Sequence, residues 1–136
     1  MAVGHELETR SMWVSLDDEG IVRVRHKPQA EIELADALEL LATERRLVRG
    51  GKHPILVDLR LVKSMTRECR RYLAGSEPAK LHAAGALITA TPFGTALGNF
   101  FMGINKPIVP TRLFTEEDEG LRWLRGFLPR PASIGE

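Results

Sequence analysis

The chain has 136 residues, 43% of them hydrophobic and 27% charged, with 19 Lys and Arg against 18 Asp and Glu. That composition fits one globular domain with enough apolar material for its own core, and a net charge of +1 gives no bulk attraction to a polyanion, so no specific nucleic-acid binding is expected. Cys69 stands alone, which excludes an internal disulfide.

Residues 1–11 are polar and carry Glu6, Glu8 and Arg10, with no apolar run of the kind that leads a secreted chain. They are expected to form a flexible N-terminal segment. With a lone thiol this points to a reducing, cytoplasmic setting. The longest apolar tract, 93–104, is interrupted by Gly94, Gly98 and Gly103 and is too short to span a membrane.

From residue 12 the elements follow in order. Residues 12–16 read as a strand, Asp17-Asp18-Glu19-Gly20 as a turn, and 21–25 as the antiparallel partner, ended by Pro28. Residues 31–49 read as a helix whose inner face is Leu34, Leu38, Leu41, Ala42, Arg45 and Val48, stopped by Gly50-Gly51. Residues 54–59 are a continuous apolar run, as a strand buried on both faces requires. Met65, Cys69, Tyr72 and Leu73 mark a short second helix, followed by a connecting segment with Lys80 and Leu81.

Residues 83–90 read as a second buried strand, and Thr91-Pro92 as the cap and first position of a helix running to about residue 103. Residues 107–114 lie between prolines and read as an edge strand. Thr115 and the acidic run Glu116-Glu117-Asp118 open a last helix with a Leu121, Leu124 and Leu128 stripe. Residues 129–136 are expected to be a loose tail. The fold class is α/β, a hairpin followed by strand-helix units, giving a mixed sheet of about five strands with about four helices.

The sequence has no phosphate loop, no dinucleotide-binding glycine pattern and no nucleophile elbow. His5, His26, His53 and His82 are scattered, with no pair at helical ligand spacing, so neither a metal nor another cofactor is expected. Cys69 reads as a small buried apolar residue, the alternative being a thiol activated by nearby arginines. Asp58 closes a buried strand, where it either caps the next turn or faces a ligand. No catalytic constellation is identified.

Two features stand out. Between residues 60 and 80, Arg60, Lys63, Arg67, Arg70, Arg71 and Lys80 face only Glu68 and Glu77. Arg67, Arg70 and Arg71 share one helix face at i, i+3 and i+4. They form either a solvated face or a site for an anion such as phosphate or an acidic partner. The second feature is the 92–103 helix, which has no charged face. Phe93, Leu97, Phe100 and Ile104 are expected to lie on the sheet. Phe101, with Met102 nearby, is expected to be partly exposed in the monomer, covered by a second copy in a homodimer or by a ligand.

The order of these elements resembles the STAS/SpoIIAA-like superfamily, whose fold is shared by the lipid-binding CRAL-TRIO domains. The stretches that carry the resemblance are Ile55-Leu56-Val57-Asp58-Leu59-Arg60 with its following helix, and Ala86-Leu87-Ile88 before the Pro92 helix. A third is the stretch 112–124, a short strand, an acidic helix start and Trp123-Leu124, as many such bacterial domains finish. Anti-sigma-factor antagonists of that family carry a phosphorylated serine in the turn after the third strand. Here Thr66-Arg67-Glu68-Cys69 falls on that turn, with Glu68 at the serine position and Ser64 and Thr66 the nearest hydroxyls. The resemblance implies a switch loop formed by Asp58, Ser64, Thr66 and Glu68.

It also implies a non-enzymatic binding or regulatory module with an unidentified protein partner. The alternative is a carrier of a lipid or small amphiphile, held by Lys63, Arg67, Arg70 and Arg71 at its anionic end and by Phe93, Phe101 and Met102 at its apolar end. A third reading is a small enzyme using Asp58, Cys69 or a histidine.

Overall fold

The computed structural model describes residues 6–129. Its elements run β1 (Glu6–Glu8), β2 (Met12–Leu16), β3 (Val22–His26), β4 (Ala30–Ile32), α1 (Leu34–Leu47), β5 (His53–Asp58), β6 (Val62–Met65), α2 (Arg67–Leu73), α3 (Ser76–Leu81), β7 (His82–Ile88), α4 (Pro92–Phe100), a π-helical turn (Phe101–Asn105), β8 (Thr111–Phe114) and α5 (Glu117–Arg125).

One six-stranded sheet has the order β1-β2-β3-β5-β7-β8. The first three strands are antiparallel neighbours, and β3, β5, β7 and β8 run parallel. The mixed sheet is the one expected. β8 is an edge strand as expected, but it begins after Pro110, so residues 107–110 of the expected strand lie outside it. In the hairpin turn, Asp17 Oδ1 accepts from the backbone N–H of Glu19, Gly20 and Ile21 at 2.9–3.0 Å, and Gly20 takes φ +100°.

Four elements were not anticipated, β1, β4, β6 and α3. Glu6–Glu8 pair with β2, so the expected flexible segment is corrected for residues 6–11; residues 1–5 lie outside the described residues, as does the expected loose tail beyond Pro129. β4 and β6 form a separate parallel ribbon, which takes Glu31 and Ile32 out of the expected first helix. Asp36 Oδ2 accepts from Glu33 N at 2.8 Å and fixes the start of α1. The segment after α2 is itself a helix, α3.

Alternation along the strands builds two cores. Met12, Val14, Val22, Val24 and Ile55 pack under α1, α2 and α4 through Ala37, Leu40, Leu41, Cys69 and Leu97. Leu56, Ala84, Ala86 and Ile88 pack on the opposite face under Leu121 and Leu124 of α5. Gly120 lets α5 approach closely: a Cβ there would stand 3.1 Å from Ile88 Cδ1.

The inner face of α1 differs from the expected one. Leu34 and Leu38 are exposed, and of that stripe Leu41 is buried. The buried residues are Asp36, Ala37, Leu40, Leu41, Thr43 and Glu44. Two carboxylates replace aliphatic side chains on the buried face because each finds partners there. Asp36 accepts from Arg10 Nε at 3.1 Å and Ser11 Oγ at 3.0 Å. Glu44 accepts from two imidazoles.

Candidate functional site

The faces of α4 are also exchanged relative to expectation. Gly94, Leu97 and Gly98 turn to the sheet, while Phe93 and Phe100 are 44% and 47% exposed and Ile104 is open to solvent. Gly98 permits this, because it sits against Leu113 and Thr89 where a side chain would collide. Phe101 follows Phe100 by about 100° of helical rotation and is half-buried, as expected, but it faces inward. The helix then widens into the π-helical turn, closed by Lys106 at φ +51° donating its N–H to Phe101 O at 2.9 Å.

Beneath this turn lies an apolar cavity of about 90 Å³. Val24, Ile55 and Leu87 of the sheet, Leu40 of α1, Leu73 of α2 and Leu97 of α4 line it, and Phe101 contributes to its wall. Among its polar lining residues are His26, Arg70, His82 and Thr111. His26 donates Nδ1–H to the Asp58 carbonyl at 2.8 Å. Burial holds its pKa below the ordinary histidine value against that hydrogen bond, so it is the neutral imidazole that faces the cavity.

Arg70 is the cation on this wall. Nη1 donates to Met65 O at 2.7 Å, and the guanidinium lies over the Phe100 ring at 4.8 Å from its centroid. Its Nε is buried with no hydrogen-bond partner among the described residues. A buried charged donor left unmade costs about 1–3 kcal/mol or more, so this nitrogen is an offer to an acceptor.

The remaining residues singled out from sequence are distributed otherwise. Arg67 and Arg71 are exposed, while Arg70, on the same helix, is half-buried. Lys63 is exposed with its ammonium 3.7 Å from Glu31. Met102 is half-buried and Phe93 lies on the outer surface of α4. Asp58 caps the following turn, accepting from Arg60 N and Arg60 Nε at 2.9 Å each. Thr66 caps α2, its hydroxyl accepting from Cys69 N at 3.2 Å, while Ser64 and Glu68 are exposed. Cys69 is fully buried, and burial pushes its thiol up to about 12. Arg70 and Phe101 are thus the pair brought to one cavity.

The scattered histidines do meet. His53 and His82 open the parallel neighbours β5 and β7 in register, and both Nε2 atoms reach Glu44 Oε1, at 2.6 and 2.7 Å. The irregularity after His53 accommodates Pro54, which has no N–H for a central strand. The signal for this cluster was a glutamate on the buried stripe of α1 and a histidine at the head of each apolar run. Which strands are neighbours could not be read from the chain order alone.

No helix among the described residues is long and apolar enough to cross a membrane. No curated protein matches the chain. The fold is similar to the crystal structure of an uncharacterised protein of the DUF3478 family with a SpoIIAA-like fold from Shewanella loihica PV-4. The two share 14% identity and a TM-score of 0.51, over 90% of this chain and 92% of that one. A protein of unknown function from Arthrobacter sp. FB24 is 31% identical over 88% of this chain and 96% of that one, with a TM-score of 0.33. The SpoIIAA-like fold expected from the resemblance is therefore the fold of this chain, and the match of residues 12–128 to the family described as a domain of unknown function, DUF7793, makes it a member of that family.

Proposed function

We propose that this protein is a non-enzymatic binding module for a small amphiphile, with the apolar end in the cavity under Phe101 and the anionic end at Arg70. The observation that carries the reading is the unpaired, buried Nε of Arg70 on the wall of an otherwise apolar cavity. The cavity is partly open, so its apolar lining meets water at a cost of about 25 cal/mol per Å². An apolar group in the cavity would offset that cost, and a carboxylate or phosphate would satisfy the guanidinium.

The cavity, at about 90 Å³, has room for several water-sized groups, since one needs only ~10–15 Å³ of such volume. It admits a short or branched apolar group, and a longer chain requires displacement of Phe101. Native mass spectrometry of protein purified without detergent tests the reading. A co-purified or added fatty acid should be retained by the wild type and lost from Arg70→Gln and from Phe101→Trp. A bare chain that binds no fatty acid or lysophospholipid overturns it.

A second reading is a regulatory contact with another protein or a second copy of this chain. The exposed Phe93, Phe100, Ile104 and Ile108 favour it, since large apolar side chains on one helical segment and the loop that follows mark interaction surfaces. Sedimentation of the wild type and of Ile104→Glu distinguishes a self-associating chain from a monomer.

A further inference from the structure

We propose that Glu44, His53 and His82 form a buried site for a divalent first-row metal ion, zinc being the ion best suited to the donor set. Three separate elements supply the side chains: the last turns of α1, the first residue of β5 and the first residue of β7. Their side chains are 0%, 4% and 8% exposed, and one ligand atom from each falls within 4.8 Å of the other two.

Hydrogen bonding alone leaves this cluster incomplete. Both imidazole Nε2 atoms converge on the same oxygen, Glu44 Oε1, while Glu44 Oε2 is buried with no partner among the described residues. A purely structural network is expected to spread its donors over both carboxylate oxygens. The Glu44 side chain is fully buried between the two imidazoles. No guanidinium or ammonium group bonds to it among the described residues. A cation held between the three groups would neutralise this buried charge.

The donor set is two imidazole nitrogens and one carboxylate oxygen. Borderline ions such as zinc, cobalt, nickel and ferrous iron take that set, whereas calcium and magnesium require more oxygens. Ion–donor distances of about 2.0–2.1 Å in a tetrahedral site separate donor atoms by about 3.3 Å. The imidazoles must therefore withdraw by roughly half an ångström from the present hydrogen-bonded arrangement, and each must bind through Nε2 with its proton on Nδ1. Three protein ligands leave a fourth position. His82 also lines the apolar cavity. The metal site stands independently of the amphiphile reading.

The test uses the full chain, stripped with a chelator and titrated with zinc and, separately, with cobalt(II). One equivalent of zinc should bind and raise Tm by several degrees, and cobalt should give the visible absorption of a low-coordinate nitrogen and oxygen site. His82→Gln keeps an N–H donor for Glu44 but removes the ligand nitrogen. It should keep the metal-free Tm while weakening zinc binding at least tenfold. No zinc-dependent shift and no cobalt spectrum in the wild type would overturn the proposal. So would zinc affinity in His82→Gln and His53→Gln equal to that of the wild type. Should those variants not fold, X-ray absorption of the zinc-loaded wild type decides: two imidazoles and a carboxylate support the site, and any other ligand set overturns it.

Discussion

The guanidinium of Arg70 covers the ring of Phe100 at 4.8 Å, and this contact between α2 and α4 helps fix which of two adjacent phenylalanines faces the cavity. Phe100 is held outside, at 47% exposure, and Phe101 turns in. Arg70 thus lines the cavity while its guanidinium stacks on an aromatic ring outside it. Such a stack contributes about 0.5–2 kcal/mol.

Phe100→Glu is therefore expected to leave the protein folded. It loses the stack but can pair with Arg70, so a stability change within about 1 kcal/mol is expected. Phe101→Glu puts a carboxylate against Leu97 and the apolar cavity and should cost several kcal/mol. Urea denaturation of the two variants checks this. Equal loss in both would show that the cavity wall is not where the structure places it.

This ordering is the reverse of what spacing alone suggests, and the reason is local. Phe93, Leu97, Phe100 and Ile104 form a good apolar stripe in sequence, but a helix with Gly94 and Gly98 packs its smooth side down. Gly98 meets Leu113 at a distance that no Cβ tolerates. The β2–β3 hairpin, the buried runs of β5 and β7 and the edge position of β8 were legible because each is written in a local signal, the Asp17 turn, the apolar runs or the flanking prolines. The buried face of α1 was not. Asp36 and Glu44 look like solvent-facing residues until Arg10, Ser11, His53 and His82 arrive from distant strands and segments.

Arg67 and Arg71 are exposed on α2, the helix that carries Arg70. Each basic residue near an anionic membrane is worth about 1 kcal/mol. Arg67→Ala with Arg71→Ala should weaken binding to phosphatidylserine vesicles about thirtyfold in low salt, with the difference shrinking as salt rises. The fold should be unaffected. Unchanged affinity in low salt would remove these two arginines from any anion site.

Asp36 gives a pH dependence with a defined sign. Burial raises its pKa, but hydrogen bonds from Arg10, Glu33 N–H and Ser11 outweigh burial and hold it below the ordinary value. The unfolded chain then binds the proton more readily, so the stabilisation is fully present above about pH 4 and is lost as pH falls through the depressed folded value. Asp36→Asn should lower stability at pH 7 and flatten the decline below pH 4. A parallel decline in both proteins would locate the acid sensitivity elsewhere.

Cys69 should be inert. Its thiol is fully buried under α1 and its pKa is pushed up to about 12, so almost no thiolate exists near neutrality. A disulfide reagent at pH 8 should label the native protein only at the rate at which it opens, and label it at once in denaturant. Rapid native labelling would reopen the reading of this residue as a reactive thiol.

Gly98 and Gly103 make a paired test of how closely α4 must approach the sheet. A Cβ at Gly98 would stand 2.6 Å from Leu113 Cδ2, 3.2 Å from Leu113 Cγ and 3.4 Å from Thr89 Cγ2. The Thr89 contact is ordinary, but relieving both Leu113 contacts requires the whole half-buried Leu113 side chain to move or α4 to lift. Overpacking of this kind costs about 1–3 kcal/mol, against about 1 kcal/mol gained when alanine replaces glycine in a helix. Gly98→Ala should therefore be net destabilising by up to about 2 kcal/mol, and it should also alter the cavity that Gly98 lines. At Gly103, in the π-helical turn, an added Cβ meets nothing within 4 Å. Gly103→Ala should be neutral or stabilising by up to about 1 kcal/mol. Thermal unfolding of both variants reads the difference directly, and a stabilised Gly98→Ala would mean that α4 can stand off the sheet without loss, leaving the cavity free to widen.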